Sequence, residues 1–193
     1  YWENNKVTSD ERHVLNFLKK KISIKGKKIL HVGVGNSYLE ENLKDFYKVD
    51  GITLSGSEIL NAKKKKIKKY KIFFLNKFSK KTLFNKKLKN YDIIIDVNLK
   101  SYACCDSAFI HLIKQYVKML KHRGIIITGK NGMKWSRIIK PVLSFSFKNF
   151  FYKRLKEFDG PKNNILTKKD LSLLMEKHNL QILNSNNLLL IKK

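Results

Sequence analysis

The sequence predicts an α/β domain: a doubly wound, mostly parallel seven-stranded sheet closed by a C-terminal antiparallel hairpin. Three observations predict it. Apolar runs of strand length alternate with stretches of helical period, the pattern of a parallel sheet with helices on both faces. The runs are apolar throughout, "YDIIIDV" (91–97) most clearly, as in strands covered on both sides. Finally, the chain closes on two short apolar runs, 180–183 and 188–191, parted by Asn-Ser-Asn-Asn, a hairpin signal.

The elements follow in order. Thr8-Ser9-Asp10-Glu11 is a T-x-x-E capping box opening a helix that carries Val14, Leu18 and Ile22 on one face. Residues 27–32 form a buried strand running into Gly33 and Gly35, and 40–46 continue the helix beginning there. A second strand, 48–54, ends at Ser55-Gly56-Ser57, and a helix from about 58 to 69 bears the run "KKKKIKK". Residues 71–75 and 91–97 are the third and fourth strands. Residues 108–120 form an amphipathic helix with Phe109, Leu112, Ile113, Tyr116 and Leu120 on one side. The turn "KHR" leads into "GIIITG", a fifth buried strand. Thr167-Lys168-Lys169-Asp170 caps the last helix, and Asn179 is its expected left-handed stop. No repeat and no Gly/Ser/Pro-rich linker divides residues 1–193, so a single domain is expected.

Composition bounds the function. The net charge is +27, but it rests on 38 Lys against 4 Arg, with 18 Asn and 20 Ile against 3 Ala and 2 Pro. That bias follows A/T-rich codons as much as selection for a polyanion, and Arg, the residue suited to bidentate phosphate contacts, is scarce. The field still draws anionic partners at low salt. No apolar run reaches membrane-spanning length and 1–6 lacks the apolar core of a signal peptide, so a cytoplasmic protein is expected. Cys104 and Cys105 are the only cysteines, with no His cluster near them in sequence. Buried reduced thiols and no metal site are expected.

Chemistry points to the first strand–helix turn. In a doubly wound sheet ligands sit beyond the carboxyl ends of the strands, where strand order reverses. Gly33 and Gly35 let backbone turn tightly and approach a ligand closely. A dinucleotide would want G-x-G-x-x-G with an acid some twenty residues on; here Tyr38 and Thr53 stand at those places. The nucleotide loop G-x-x-x-x-G-K-[ST] is absent.

Several stretches, in chain order, resemble the class I S-adenosylmethionine-dependent methyltransferases. "ILHVGVGNS" is similar to their motif I, and "VDGITLSGSE" (49–58) to their second-strand segment, closest to the "GxTLSxxQ" variant of the cyclopropane fatty-acid synthase branch. "YDIIIDVNL" looks like motif IV, and "MLKHRGIIITGKNG" (119–132) like the "LLKPGG" turn with the fifth strand. The resemblance covers roughly 10–132 and 166–193 and implies a Rossmann-like methyltransferase fold. It departs from the family pattern at His31, in place of the motif I acid, at Ser37 for the third glycine, at Thr53 for the ribose acid and at Asn76 for the acid after the third strand.

The resemblance implies S-adenosylmethionine as cofactor and S-adenosylhomocysteine as product. It places the backbone of Gly33, Val34 and Gly35 along the methionine moiety, with His31, Asn36 and Ser37 beside it. Thr53, Ser55 and Glu58 would face the ribose, Leu54 would pack on adenine, and Asn76 or Lys77 would meet its edge. Asp96, Val97, Asn98 and Leu99 would wall the point where the methyl leaves. Asp96 is the expected catalytic residue, as base or acceptor-orienting group, ahead of His111, Lys130 and His31; His122 is read as a helix-end residue. Residues 133–165 mix basic residues with Trp135, Phe145, Phe147, Phe150, Phe151, Tyr152 and Phe158. They are expected to form a basic, aromatic helical insertion, a lid over an anionic acceptor or a surface for an anionic membrane. The expected acceptor is a small anionic or sugar-linked molecule. The alternatives are RNA and then lipid as acceptor, or a catalytically degenerate binding module for nucleic acid or a protein partner.

Overall fold

The structure, a computed structural model, describes residues 7–21, 26–44, 48–68, 70–79, 87–129, 137–144, 152–159, 166–185 and 187–193. Strands β1 (Lys28–Val32), β2 (Lys48–Thr53), β3 (Lys71–Phe74), β4 (Tyr91–Ile95), β5 (Leu120–Gly129), β8 (Gln181–Ser185) and β9 (Leu188–Lys192) form one seven-stranded sheet. Its order is β3-β2-β1-β4-β5-β9-β8. The first five pair in parallel; β9 runs antiparallel to both β5 and β8, giving the predicted closing hairpin.

Alternate residues of the central strands feed two cores. On one face Leu30, Ile94 and Ile126 pack with Phe109, Leu112 and Tyr116 of helix α4 (Asp106–Met119) and Leu174 of α5 (Lys168–His178). On the other, Ile29, Ile93, Ile95 and Ile127 meet Val14 and Leu18 of α1 (Ser9–Lys21) and Leu39 and Leu43 of α2 (Tyr38–Leu43). A strand that must fill both cores has no polar face, which explains the continuous Ile run of β4. Helix α3 is Gly56–Lys64.

Both capping boxes close. Thr8 Oγ1 accepts from the Glu11 amide at 3.1 Å while the Glu11 carboxylate accepts from the Thr8 amide at 2.8 Å. The Thr167–Asp170 box is equally complete, and Asn179 ends α5 in the left-handed region at φ 49°.

Four local expectations are corrected. Helix α3 stops at Lys64, not near 69, because four consecutive lysines repel along the last turn and Lys66 turns left-handed at φ 48°. "KHR" is not a free turn: it lies within β5, where a bulge separates the Tyr91–Leu120 and Ile93–Ile125 pairs and Arg123 adopts φ 61°. The described parts of 133–165 are not helical but an antiparallel ribbon of β6 (Arg137–Ser144) and β7 (Tyr152–Asp159). Pro141, paired with Leu155 in mid-ribbon, is incompatible with a helix interior, and the β-branched Ile138, Ile139 and Val142 favour strand. Trp135, Phe145, Phe147, Phe150, Phe151 and Lys130 lie outside the described residues. The thiols of Cys104 and Cys105 are both exposed, since they stand on the turn before α4 rather than on its buried face.

Candidate functional site

The strand order reverses between β1, β2 and β4, and the turns leaving these strands, with that leaving β3, form one end of the sheet. The glycine turn leaves β1 there. Gly33, Gly35 and Ser37 all take left-handed backbone, at φ 79°, 52° and 60°. Ser37 therefore holds a Cβ in the left-handed region, at a cost of about 1–2 kcal/mol. Backbone bonds pin the turn: Gly33 N–H donates to Ile52 O at 2.8 Å and Ser37 N–H to Val34 O at 2.8 Å. A side chain at Gly33 would meet no atom within 4 Å, so its Cα faces open space.

Sequence reading missed what supports this turn. A Cβ on Gly51 of β2 would lie 2.6 Å from Val34 Cγ1 and 2.7 Å from Tyr70 Oη, so both groups pack across bare backbone. Tyr70 Oη also lies 3.4 Å from Ser37 Oγ, and burial pushes its phenol pKa up. A glycine inside a β-branched strand was the available signal.

His31, in the motif acid's place, is wholly buried, and its Nδ1 lies 2.6 Å from Glu40 Oε1 of α2, equally buried. Burial opposes the imidazolium, but the charge and hydrogen bond of Glu40, with Glu11 and Asp96 beyond, raise the pKa above its ordinary value. Among the described residues, Nε2 of His31 and Oε2 of Glu40 have no hydrogen-bond partner. A buried carboxylate thus lies against His31, supplied by the helix rather than the strand.

At the tip of β2, Thr53 Oγ1 donates to Glu58 Oε2 and accepts from Ser55 N–H at 3.0 Å. Ser55 caps α3 by accepting from Glu58 N–H at 3.3 Å. Thr53, Ser55 and Glu58 are thereby brought together, with Leu54 beside them 54% exposed. Asn76, after β3, accepts from Phe78 N–H at 2.9 Å in a tight turn.

Lys77 folds onto the tip of β4. Its Nζ lies 2.9 and 3.2 Å from the Asp96 carboxylate oxygens and donates to Asn98 O at 2.8 Å and Leu99 O at 3.2 Å. Tyr116 Oη of α4 donates to the same carboxylate at 2.8 Å. Burial first, then the charge of Asp96 and its hydrogen bond, raise that phenol's pKa well above its ordinary value. Val97 and Leu99 sink into opposite cores, so at the surface this turn presents Asn98 and backbone, with the Asp96 carboxylate buried just beneath. His111 and His122, on α4 and β5, lie on no strand tip. Among the described residues no cluster of three His, Cys, Asp or Glu side chains forms a metal site, and no helix is long and apolar enough to cross a membrane.

No family profile and no curated protein matches this sequence. Solved structures do match its shape. An S-adenosylmethionine-dependent methyltransferase from Clostridium acetobutylicum superposes with TM-score 0.65 at 14% identity, over 95% of this chain and 90% of that one. CalS10, an amino pentose methyltransferase from Micromonospora echinaspora solved with S-adenosylmethionine, gives 0.61 at 9% over 99% and 93%. The sugar N-methyltransferase KedS8 from a Streptoalloteichus species gives 0.62 at 9% over 99% and 89%. The chain has the Rossmann-like fold of the class I S-adenosylmethionine-dependent methyltransferases.

Proposed function

We propose that this chain transfers a methyl group from S-adenosylmethionine to a small anionic or sugar-linked acceptor, leaving S-adenosylhomocysteine. The observation that carries the proposal is the row of left-handed residues Gly33, Gly35 and Ser37 at the strand-order reversal, with the Glu58 carboxylate anchored on the neighbouring tip. The residues fit such a cofactor. Gly33 faces open space where its methionine end would lie, and Val34, Gly35, Asn36 and Ser37 continue that wall. Glu58, held by Thr53, offers a ribose diol the carboxylate that Thr53 lacks; exposed Leu54 offers adenine an apolar face, and Asn76 its edge.

When bound, the cofactor supplies a methyl group already activated on a sulfonium. The chain's own work is then alignment and handling of the acceptor's proton. Asp96 stands at the tip of β4 with Lys77 and Tyr116 both on its carboxylate. It is fixed in place as an orienting group, and an acceptor hydrogen must share an oxygen with Lys77 to reach it. The lysine-rich coat favours anionic acceptors, and two solved neighbours of the fold are an amino pentose methyltransferase and a sugar N-methyltransferase. We take residues 1–193 as one domain acting in the cytoplasm.

A second reading, a binding module for nucleic acid or a protein partner, is favoured by one observation: Lys77 folds onto the residue assigned to the acceptor. Isothermal titration with S-adenosylhomocysteine separates the two. Micromolar binding supports the transferase; no binding, together with RNA affinity that falls steeply with salt, supports the module.

A further inference from the structure

The chain's two cysteines lie outside the site just described. Both thiols are exposed, their sulfurs are 3.5 Å apart, and they stand side by side on the turn entering α4. The turn around them is held from below. Lys100, buried, binds Asp106 of α4 at 3.0 Å and Asp170 of α5 at 2.7 Å, and Tyr102 turns left-handed at φ 65°. Cys105 is the N-cap residue of α4.

We propose that Cys104 and Cys105 form a vicinal dithiol that hydroperoxides oxidise reversibly to an intrachain disulfide, with Cys105 as the attacking sulfur. The Cys105 thiolate attacks the peroxide oxygen, the O–O bond breaks, and with one proton an alcohol or water leaves, giving a sulfenic acid. The Cys104 thiol then attacks that sulfur; the S–O bond breaks, the thiol proton leaves with the hydroxide as water, and the S–S bond forms. Two thiols lose two electrons and the peroxide gains them. The order of attack follows the setting of each sulfur. The first-turn amides of Ala108 and Ser107, and the Cys104 thiol, hold the Cys105 thiol below its ordinary pKa, whereas Cys104 is raised by its contact with Cys105. Reversibility follows from geometry: neighbouring Cα atoms are about 3.8 Å apart, short of the roughly 4.4–6.8 Å that disulfides prefer, which leaves the closed ring easily reduced.

With only two cysteines in the sequence, an intrachain disulfide has one assignment. The test exposes the full chain to equimolar hydrogen peroxide and reads the intact mass. The proposal expects a loss of about 2 Da, no covalent dimer, and full recovery with dithiothreitol. Cys104→Ser should stop at a sulfenic acid that glutathione captures, and Cys105→Ser should react about tenfold more slowly than the native chain. A dimeric product, a gain of about 32 Da from sulfinic acid, or equal rates in the two variants would each overturn it. The readout is mass, so the result does not depend on methyl transfer.

Discussion

His31 Nδ1 sits 2.6 Å from the Glu40 carboxylate with both side chains at 0% exposure. Removing one member leaves the other buried and unpaired, so Glu40→Ala should cost about 3–5 kcal/mol in denaturant unfolding. A double His31→Leu, Glu40→Leu chain should recover much of that.

The same pair sets a pH dependence. Although burial opposes its charge, His31 has a folded pKa raised above its ordinary 6.5. A group raised on folding stabilises fully below its unfolded pKa, and that stability is lost as pH climbs through the folded value. The Tm should therefore fall as pH rises above about 6.5, and the fall should vanish in the double-Leu chain. A wild-type Tm that climbs over that window contradicts the assignment.

Ser37→Gly should stabilise the fold by up to about 1 kcal/mol, because the left-handed backbone then carries no Cβ. Gly33→Ala adds a methyl group in open space at φ 79°. It should cost about 1–2 kcal/mol of stability while abolishing S-adenosylhomocysteine binding by titration. Retained affinity would move the cofactor away from this turn.

Glu58→Gln should weaken S-adenosylhomocysteine about tenfold or more, the worth of a charge-assisted hydrogen bond, and weaken adenosine by the same factor since the ribose is shared. An effect confined to S-adenosylhomocysteine would put Glu58 at the amino-acid end instead.

Lys77→Met strips the cation from a carboxylate that is 2% exposed, whereas Lys71 on β3 is an exposed side chain. Thermal unfolding should show Lys77→Met costing about 3–5 kcal/mol and Lys71→Met close to nothing.

What the sequence made legible was local or periodic. The Thr8–Glu11 and Thr167–Asp170 boxes span four residues each, and the Ile run of β4 states its own burial on both faces. Thr53 and Glu58 lie within one strand–helix turn, so their meeting was readable from the motif. Pairs made by tertiary packing were not. Lys77 and Asp96 stand 19 residues apart on different strand ends, and Tyr116 looked like another apolar helix residue although a buried phenol needs a partner. Glu40 was hidden for the opposite reason: a carboxylate beside Leu39 reads as a helix boundary, not as a core residue. The described strands of 133–165 mislead because aromatics and lysines suit an amphipathic helix and a ribbon alike, with Pro141 and the β-branched Ile138, Ile139 and Val142 the signals that favour the ribbon.

Lys100 works as a rivet. One ammonium joins the loop behind Asp96 to the first turns of two helices, so that loop cannot flex without loosening both. Removing this single cation should therefore free two helix starts together, although they lie far apart in the sequence.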